Sequence, residues 1–138
     1  MSKQTECLLE NQIGFKLRLA NQKHLDVFSR LMPEVTPTQF AVLAKLSETG
    51  TISQNHLGRL VKKDAATTKG VIDRLKKKGF VLSTPSRTDL RRLEISLTKD
   101  GRIFTLNAVK TANSISDKTA TNLSPRELER LLALLDKL

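Results

Sequence analysis

Tryptophan and tyrosine are absent from this chain of 138 residues, and cysteine occurs once, at Cys7. A lone cysteine makes no intrachain disulfide and fits a reducing cytoplasm. Histidine occurs twice, and His24 and His56 lie far apart, neither with metal-ligand spacing to Cys or carboxylates. There is no phosphate-binding glycine loop and no nucleophile elbow, so an enzyme is not expected. No apolar run reaches 18 residues, which argues against a membrane span. Residues 1–6 place no apolar stretch behind a basic start, so export is not expected either. Proline and glycine, at 4 and 6 residues, are too few for a disordered chain.

Positive charge is what the chain has in excess. It carries 24 Lys/Arg against 14 Asp/Glu, a formal net charge of +10. Such a balance favours a polyanionic partner. Residues 53–102 alone hold 13 Lys/Arg and 5 Asp/Glu, a net of +8, leaving +2 for both flanks together. The length suits one domain with a real core, or one with helical extensions.

Hydrophobic spacing places the elements. Leu8, Leu9, Ile13, Leu17, Ala20, Leu25, Phe28 and Leu31 recur mostly every three or four residues, which predicts one long helix over 8–32, ended by Pro33. Thr36 caps a second helix, with Pro37 in its first turn and Gln39 completing a capping box. Phe40, Leu43, Ala44 and Leu46 are its inward face and Gly50 closes it. Ser53 caps a short helix with Leu57, Leu60 and Val61 inward. Asp64 caps the next, with Thr68, Val71, Ile72 and Leu75 inward and Gly79 as its stop. Thr67, Lys69, Gly70, Asp73, Arg74 and Lys77 then point outward. Gly70 costs about 1 kcal/mol in a helix interior. Close approach of a partner to the backbone would account for it, and so would chance. Two strand-like runs, 80–83 and 93–97, flank a turn containing Pro85, Ser86 and Asp89. Thr98 caps a further helix with a buried stripe of Ile103, Leu106, Val109 and Ile115. Ser124 caps a last, leucine-rich helix, with Pro125 first and Glu127 third.

Two short helices followed by a hairpin with a basic tip make a helix-turn-helix with a wing. The fold class is therefore mainly α with a small β-hairpin. An α-helix fits the major groove, where each base pair shows its own donor and acceptor pattern. The candidate DNA contacts are Ser53, Gln54, Asn55 and Lys63, then Ala66, Thr67, Lys69, Gly70 and Arg74 on the recognition helix, and Arg87, Asp89 and Arg91 in the wing. Thr67 suits a phosphate or a thymine methyl, and Lys69 and Arg74 reach base edges or phosphates. Wing arginines suit the negative potential of the minor groove. Asp89 would be costly there unless it fixes an arginine by a bidentate contact. Residues 1–34 and 99–138 carry more Leu than a winged domain of residues 35–98 can cover, so they are expected to bury against a second copy. A two-fold dimer spaces its recognition helices by about one DNA turn, ~34–36 Å, and implies a near-palindromic operator.

Val35-Thr36-Pro37-Thr38-Gln39-Phe40, the stretch 67–79, Asp89-Leu90-Arg91, Leu97-Thr98-Lys99-Asp100-Gly101 and Leu123-Ser124-Pro125-Arg126-Glu127 resemble the MarR family of bacterial transcription regulators over nearly the whole chain. The resemblance implies an obligate dimer, usually repression, and release on binding a small, often aromatic, anion. Gly70 stands where many members carry a larger residue, commonly Arg, so a base contact is not carried over there. Residues 21–28 and 70–75 look like the branch that represses aromatic-acid catabolism, including that of nicotinate. Family pockets lie between the dimer helices and the DNA-binding lobe, which points to Phe15, Arg18, Gln22, Lys23, His24 and Phe40, with Asn21 and Phe28 beside them. An anionic aromatic ligand needs one cation and an apolar slot. Arg18, Lys23 or His24 would supply the charge, while Phe28 and Phe40 read equally as core. Cys7 would make an oxidant sensor only with a lowered pKa. Lys3, Glu6 and Glu10 give it no cationic surroundings, and the tyrosines with which the family's peroxide sensors hold their thiolate are missing.

These readings converge on a cytoplasmic, nucleoid-associated homodimer that needs no cofactor and leaves its operator when a small aromatic acid binds. Charge alone would also allow a sequence-tolerant architectural or RNA-binding protein, distinguished by steep salt dependence without operator preference. The same composition is compatible with a redox regulator acting through Cys7, and with a helical interaction protein whose basic face is incidental.

Overall fold

The computed structural model describes residues 8–138, so Cys7 lies outside the described residues. A 3-10 turn at Leu9–Asn11 precedes α1 (Ile13–Leu31), α2 (Pro37–Thr49), β1 (Ile52–Ser53), α3 (Gln54–Leu60), α4 (Ala65–Lys77), β2 (Val81–Pro85), β3 (Leu93–Leu97), α5 (Lys99–Thr119) and α6 (Pro125–Leu135). The chain divides into two compact units. One joins residues up to Leu31 with Ala112–Leu138, and the other is Met32–Thr111, so α5 contributes to both.

In the unit 32–111, the capping box forms as expected. Thr36 Oγ1 accepts from the Gln39 N–H at 3.1 Å, and Gln39 Oε1 accepts from the Thr36 N–H at 3.2 Å. The box turns Gln39 inward, so α2 buries Gln39, Val42, Leu43 and Leu46, and Phe40 and Ala44 are only half-buried. That shifts the expected inward face by one residue. Gly50, at φ 76°, ends the helix in a left-handed conformation. Ile52 and Ser53 then pair with Ile95 and Glu94, adding an unforeseen third strand. The antiparallel sheet runs β1-β3-β2, with Ile95 fully buried in its centre. Pro85 belongs to the edge strand, where its missing N–H leaves no central ladder bond unmade.

The four inward residues expected of α4 are all buried, Thr68 and Leu75 almost completely. Its start packs closely on α3. A Cβ at Gly58 would stand 2.9 Å from Thr68 Oγ1. Between the helices Lys62 adopts φ 60°, a left-handed conformation that costs a side-chain-bearing residue about 1–2 kcal/mol.

Of the stripe expected on α5, Ile115 is buried, but Ile103, Leu106 and Val109 are 51%, 60% and 40% exposed, and Gly101, Thr105 and Ala108 are buried in their place. At its start the inward residue is small because the helix lies against the backbone that follows α4. A Cβ at Gly101 would collide with the Phe80 carbonyl. Thr98 fixes the approach: its hydroxyl donates to the Gly79 carbonyl at 2.6 Å and accepts from the Gly101 N–H at 3.0 Å. The Phe80 and Phe104 rings stack with centroids 4.6 Å apart.

In the other unit, α1 starts at Ile13 rather than Leu8, because Gln12 is extended between the 3-10 turn and the helix. Leu9 and Ile13 keep a four-residue spacing across that break, so periodicity alone does not reveal it. Ser124 and Glu127 form the second capping box, with bonds of 3.1 and 2.9 Å. His24 Nδ1 lies 2.9 Å from Thr119 Oγ1, tying α1 to the end of α5. The hydrophobic residues buried here, among those described, are Val27, Phe28 and Ile115. Thirteen leucines and isoleucines are exposed, from Leu8 and Ile13 to Leu132 and Leu138.

Gly101→Ala should therefore lower stability by roughly 3 kcal/mol, since only backbone movement relieves the overlap. Lys62→Gly should raise it by up to about 1 kcal/mol by removing the left-handed penalty. Urea unfolding of both variants at one protein concentration checks the opposite signs.

Candidate nucleic-acid interface

Thr68, Val71, Ile72 and Leu75 anchor α4, so its other side is presented outward. Ala66, Thr67, Lys69 and Arg74 are exposed there and Gly70 is half-exposed. Asp64 caps the helix through a 2.6 Å bond from the Thr67 N–H to Oδ1. The Thr68 hydroxyl turns back to donate to the Asp64 carbonyl at 2.7 Å. Gly70 is not required by the fold, because an added Cβ would meet only Arg74 Nη1, at 3.6 Å.

The start of α3 lies beside the base of the wing. Ser53, Gln54, Asn55, Arg91, Arg92 and Leu93 line one cleft of about 90 Å³. Ser53 Oγ is engaged there as the helix cap, accepting from the His56 N–H at 3.1 Å. A second cleft of about 220 Å³ opens between α3 and α4, lined by Gln54, Asn55, Gly58, Arg59, Lys63, Ala65 and Thr68. These clefts bring the expected Ser53, Gln54, Asn55, Lys63 and Arg91 together, and add Arg59 and Arg92. Arg59 stands four residues after Asn55 on the same helix, a spacing that identifies it on the sequence alone.

The wing tip is held by its own backbone. The Ser86 N–H donates to the Arg92 carbonyl at 2.8 Å and the Arg92 N–H to the Asp89 carbonyl at 2.9 Å. Asp89 does engage Arg91, but not by a two-pronged guanidinium contact. One oxygen, Oδ1, accepts from both the backbone N–H at 3.0 Å and Nε at 3.3 Å. The short i, i+2 separation leaves too little chain for the fork to turn back. Arg91 stays 92% exposed, free to meet another surface. Arg87 is exposed in the same loop.

The residues expected to hold an effector are distributed as follows. Phe15 and Arg18 stack on one face of α1, with the guanidinium 5.4 Å from the ring centroid. Gln22 and Lys23 are exposed. His24 is half-buried, bonded to Thr119 and tilted against Phe28 at 6.2 Å. Phe28 is buried, and Phe40 is half-buried on α2. Among the described residues no group of three or more His, Cys, Asp and Glu could hold a metal ion, and no helix is long and apolar enough to cross a membrane.

Comparison with known proteins agrees with this geometry. The MarR family model matches residues 35–93. The HTH-type transcriptional repressor NicR of Pseudomonas putida is 32% identical over 92% of this chain and 82% of its own length. The crystal structure of a probable transcriptional regulator from Pseudomonas aeruginosa superposes with a TM-score of 0.89 at 43% identity, covering 94% of this chain and 98% of that one. BpsR of Bordetella bronchiseptica, whose DNA binding is regulated by 6-hydroxynicotinic acid, superposes with a TM-score of 0.90 at 32% identity over 96% of both chains.

Two carboxylates on this face titrate low. The Thr67 backbone bond holds Asp64 below the ordinary 3.8, helped by the Thr67 hydroxyl and Lys63. The Lys69 ammonium does the same to Asp73, with Lys76 and Lys77 adding to it. A depressed pKa stabilises the fold in full above the unfolded value and is lost as pH falls through the folded one. Stability should thus decline below pH ~3.8. Asp64→Asn, which keeps a cap but cannot titrate, should weaken that decline while changing neutral-pH stability little. Thermal unfolding between about pH 5 and pH 2.5 measures both.

Proposed function

The chain belongs to the MarR family of transcriptional regulators, and on that premise we propose that it is a dimeric repressor released from a near-palindromic operator by a small aromatic acid. Its relatives regulate transcription and are not enzymes. The observation that carries the DNA reading is that two clefts bring the start of α3, Arg59, Lys63 and Arg91–Arg92 together beside the first residue of α4, in a stretch of net charge +8. In this reading α4 enters the major groove. Thr67, Lys69 and Arg74 face base edges and phosphates, with Ala66 and Gly70 leaving room for close approach. Ser53, Gln54, Asn55 and Lys63 meet the backbone, and the wing brings Arg87 and Arg91, the latter steadied by Asp89, to the adjacent minor groove.

Residues 35–98 then form the DNA-binding lobe, and residues 1–34 and 99–138 the dimerisation segments. The exposed leucines of α1 and α6 support this, since a lone chain leaves them in water. An effector in the class of 6-hydroxynicotinic acid is supported by BpsR, whose DNA binding that acid regulates. Arg18 offers the cation for its carboxylate and Phe15 an aromatic face; His24 offers a hydrogen bond. Release is a population shift: the acid binds better to dimers whose recognition helices are misspaced, and DNA affinity falls by the same coupling, about 1–3 kcal/mol.

Lys69→Ala or Arg91→Ala should weaken operator binding by about 1–3 kcal/mol with the dimer intact. Leu132→Asp should instead produce monomers first. Fluorescence anisotropy on a labelled operator and sedimentation velocity separate the two outcomes. Calorimetric titration with 6-hydroxynicotinic acid should show weaker binding to Arg18→Ala or His24→Ala; equal affinity in both would remove them as anchors.

A further inference from the structure

Asp73 is the acid that α4 carries, and it falls at the middle of the outward arc, one turn from Gly70 and two from Ala66. A carboxylate there repels the phosphates that the rest of the face attracts. Its position is not one that favours the helix, because an acid in the C-terminal half opposes the helix dipole. Its shortest pairing is also the less favourable one for the helix. Lys69 Nζ lies 2.9 Å from Asp73 Oδ2, and Lys76 Nζ is 3.9 Å from Oδ1. With the cation four residues before the acid, the Lys69 pair has the weaker of the two i, i+4 orders. Both side chains are well exposed, at 64% and 45%, so the pair opens readily.

The pair does match one chemical surface. In the major groove a G·C pair displays the guanine O6 and N7 acceptors beside the cytosine N4 donor. Lys69 and Asp73 set a donor and an acceptor side by side, the complement of that edge. We propose that Asp73, together with Lys69, reads one G·C pair in each half of the operator: Asp73 accepts from cytosine N4 and Lys69 donates to guanine. The pair is neutral as a unit, so it adds discrimination with little general attraction. The small Ala66 and Gly70 leave the adjoining face open for the approach. The inference rests on the DNA-binding reading above.

Selection of duplexes from a random-sequence library by the full-length protein, Asp73→Asn and Asp73→Ala tests it. The parent should enrich a motif with a G·C pair at one position of each half-site. Asp73→Ala should lose preference there alone, and Asp73→Asn should shift it toward A·T, since Asn bonds adenine N6 and N7. Replacing that pair should cost the parent about 5- to 150-fold in affinity and Asp73→Ala close to nothing. Affinity of both variants for scrambled duplex should rise. If all three proteins enrich the same motif with the same ratios, Asp73 is not a reader, although the DNA-binding reading stands. If the parent enriches no motif, that broader reading fails and takes this one with it. Circular dichroism spectra of Asp73→Asn that match the parent's at the selection temperature establish that any shift is not a folding defect.

Discussion

The close contact between Gly58 and Thr68 sets the geometry on which the DNA-facing unit depends. A hydroxyl occupies the space where any larger residue at position 58 would place its Cβ. The same hydroxyl bonds the Asp64 carbonyl, so it is both spacer and anchor. Lys62 reverses the chain between the helices in a conformation most residues avoid. With α3 and α4 held this way, the buried row of α4 fixes which residues can meet a groove. The sheet then brings the wing base to the start of α3, because β1 immediately precedes that helix and pairs with the strand leaving the wing.

Charge and shape do different work on such a surface. The cations of residues 53–102 attract any polyanion, with a strength that falls steeply as salt rises. Discrimination must come from groups that reward only the right base edges. The two carboxylates bonded to side chains on this face, Asp73 and Asp89, each hold a cation in a defined direction. Each such pair cancels one positive charge and so lowers the general attraction of the face. The other unit follows a different rule. Its leucines stay exposed along α1 and α6, where a solitary protein would be expected to bury them.

Local chemistry is the most legible part of the sequence. Thr36 with Gln39, Ser53, Asp64, and Ser124 with Glu127 each cap the helix that their side chains announce. The inward row of α4 also follows directly from spacing, since Thr68, Val71, Ile72 and Leu75 fall within one arc. Other features depend on partners distant in sequence. β1 has two residues, too few to show any period, and exists because β3 passes beside it. The start of the α5 stripe misleads because apolar residues are assumed to turn inward, whereas the Phe80 backbone leaves no room for a side chain at Gly101. Lys69 and Asp73 stand at plain helical spacing, but their pairing becomes informative only once the direction of that face is known. Arg92 joins the interface through a hairpin register that alternation of residues does not specify.

The most direct test of the account is a hydroxyl-radical footprint of the protein on a duplex that it selects. Two protected patches on one face of the DNA, about 10–10.5 base pairs apart centre to centre, are predicted for twin recognition helices. A single patch, or protection spread evenly along the duplex, would contradict it.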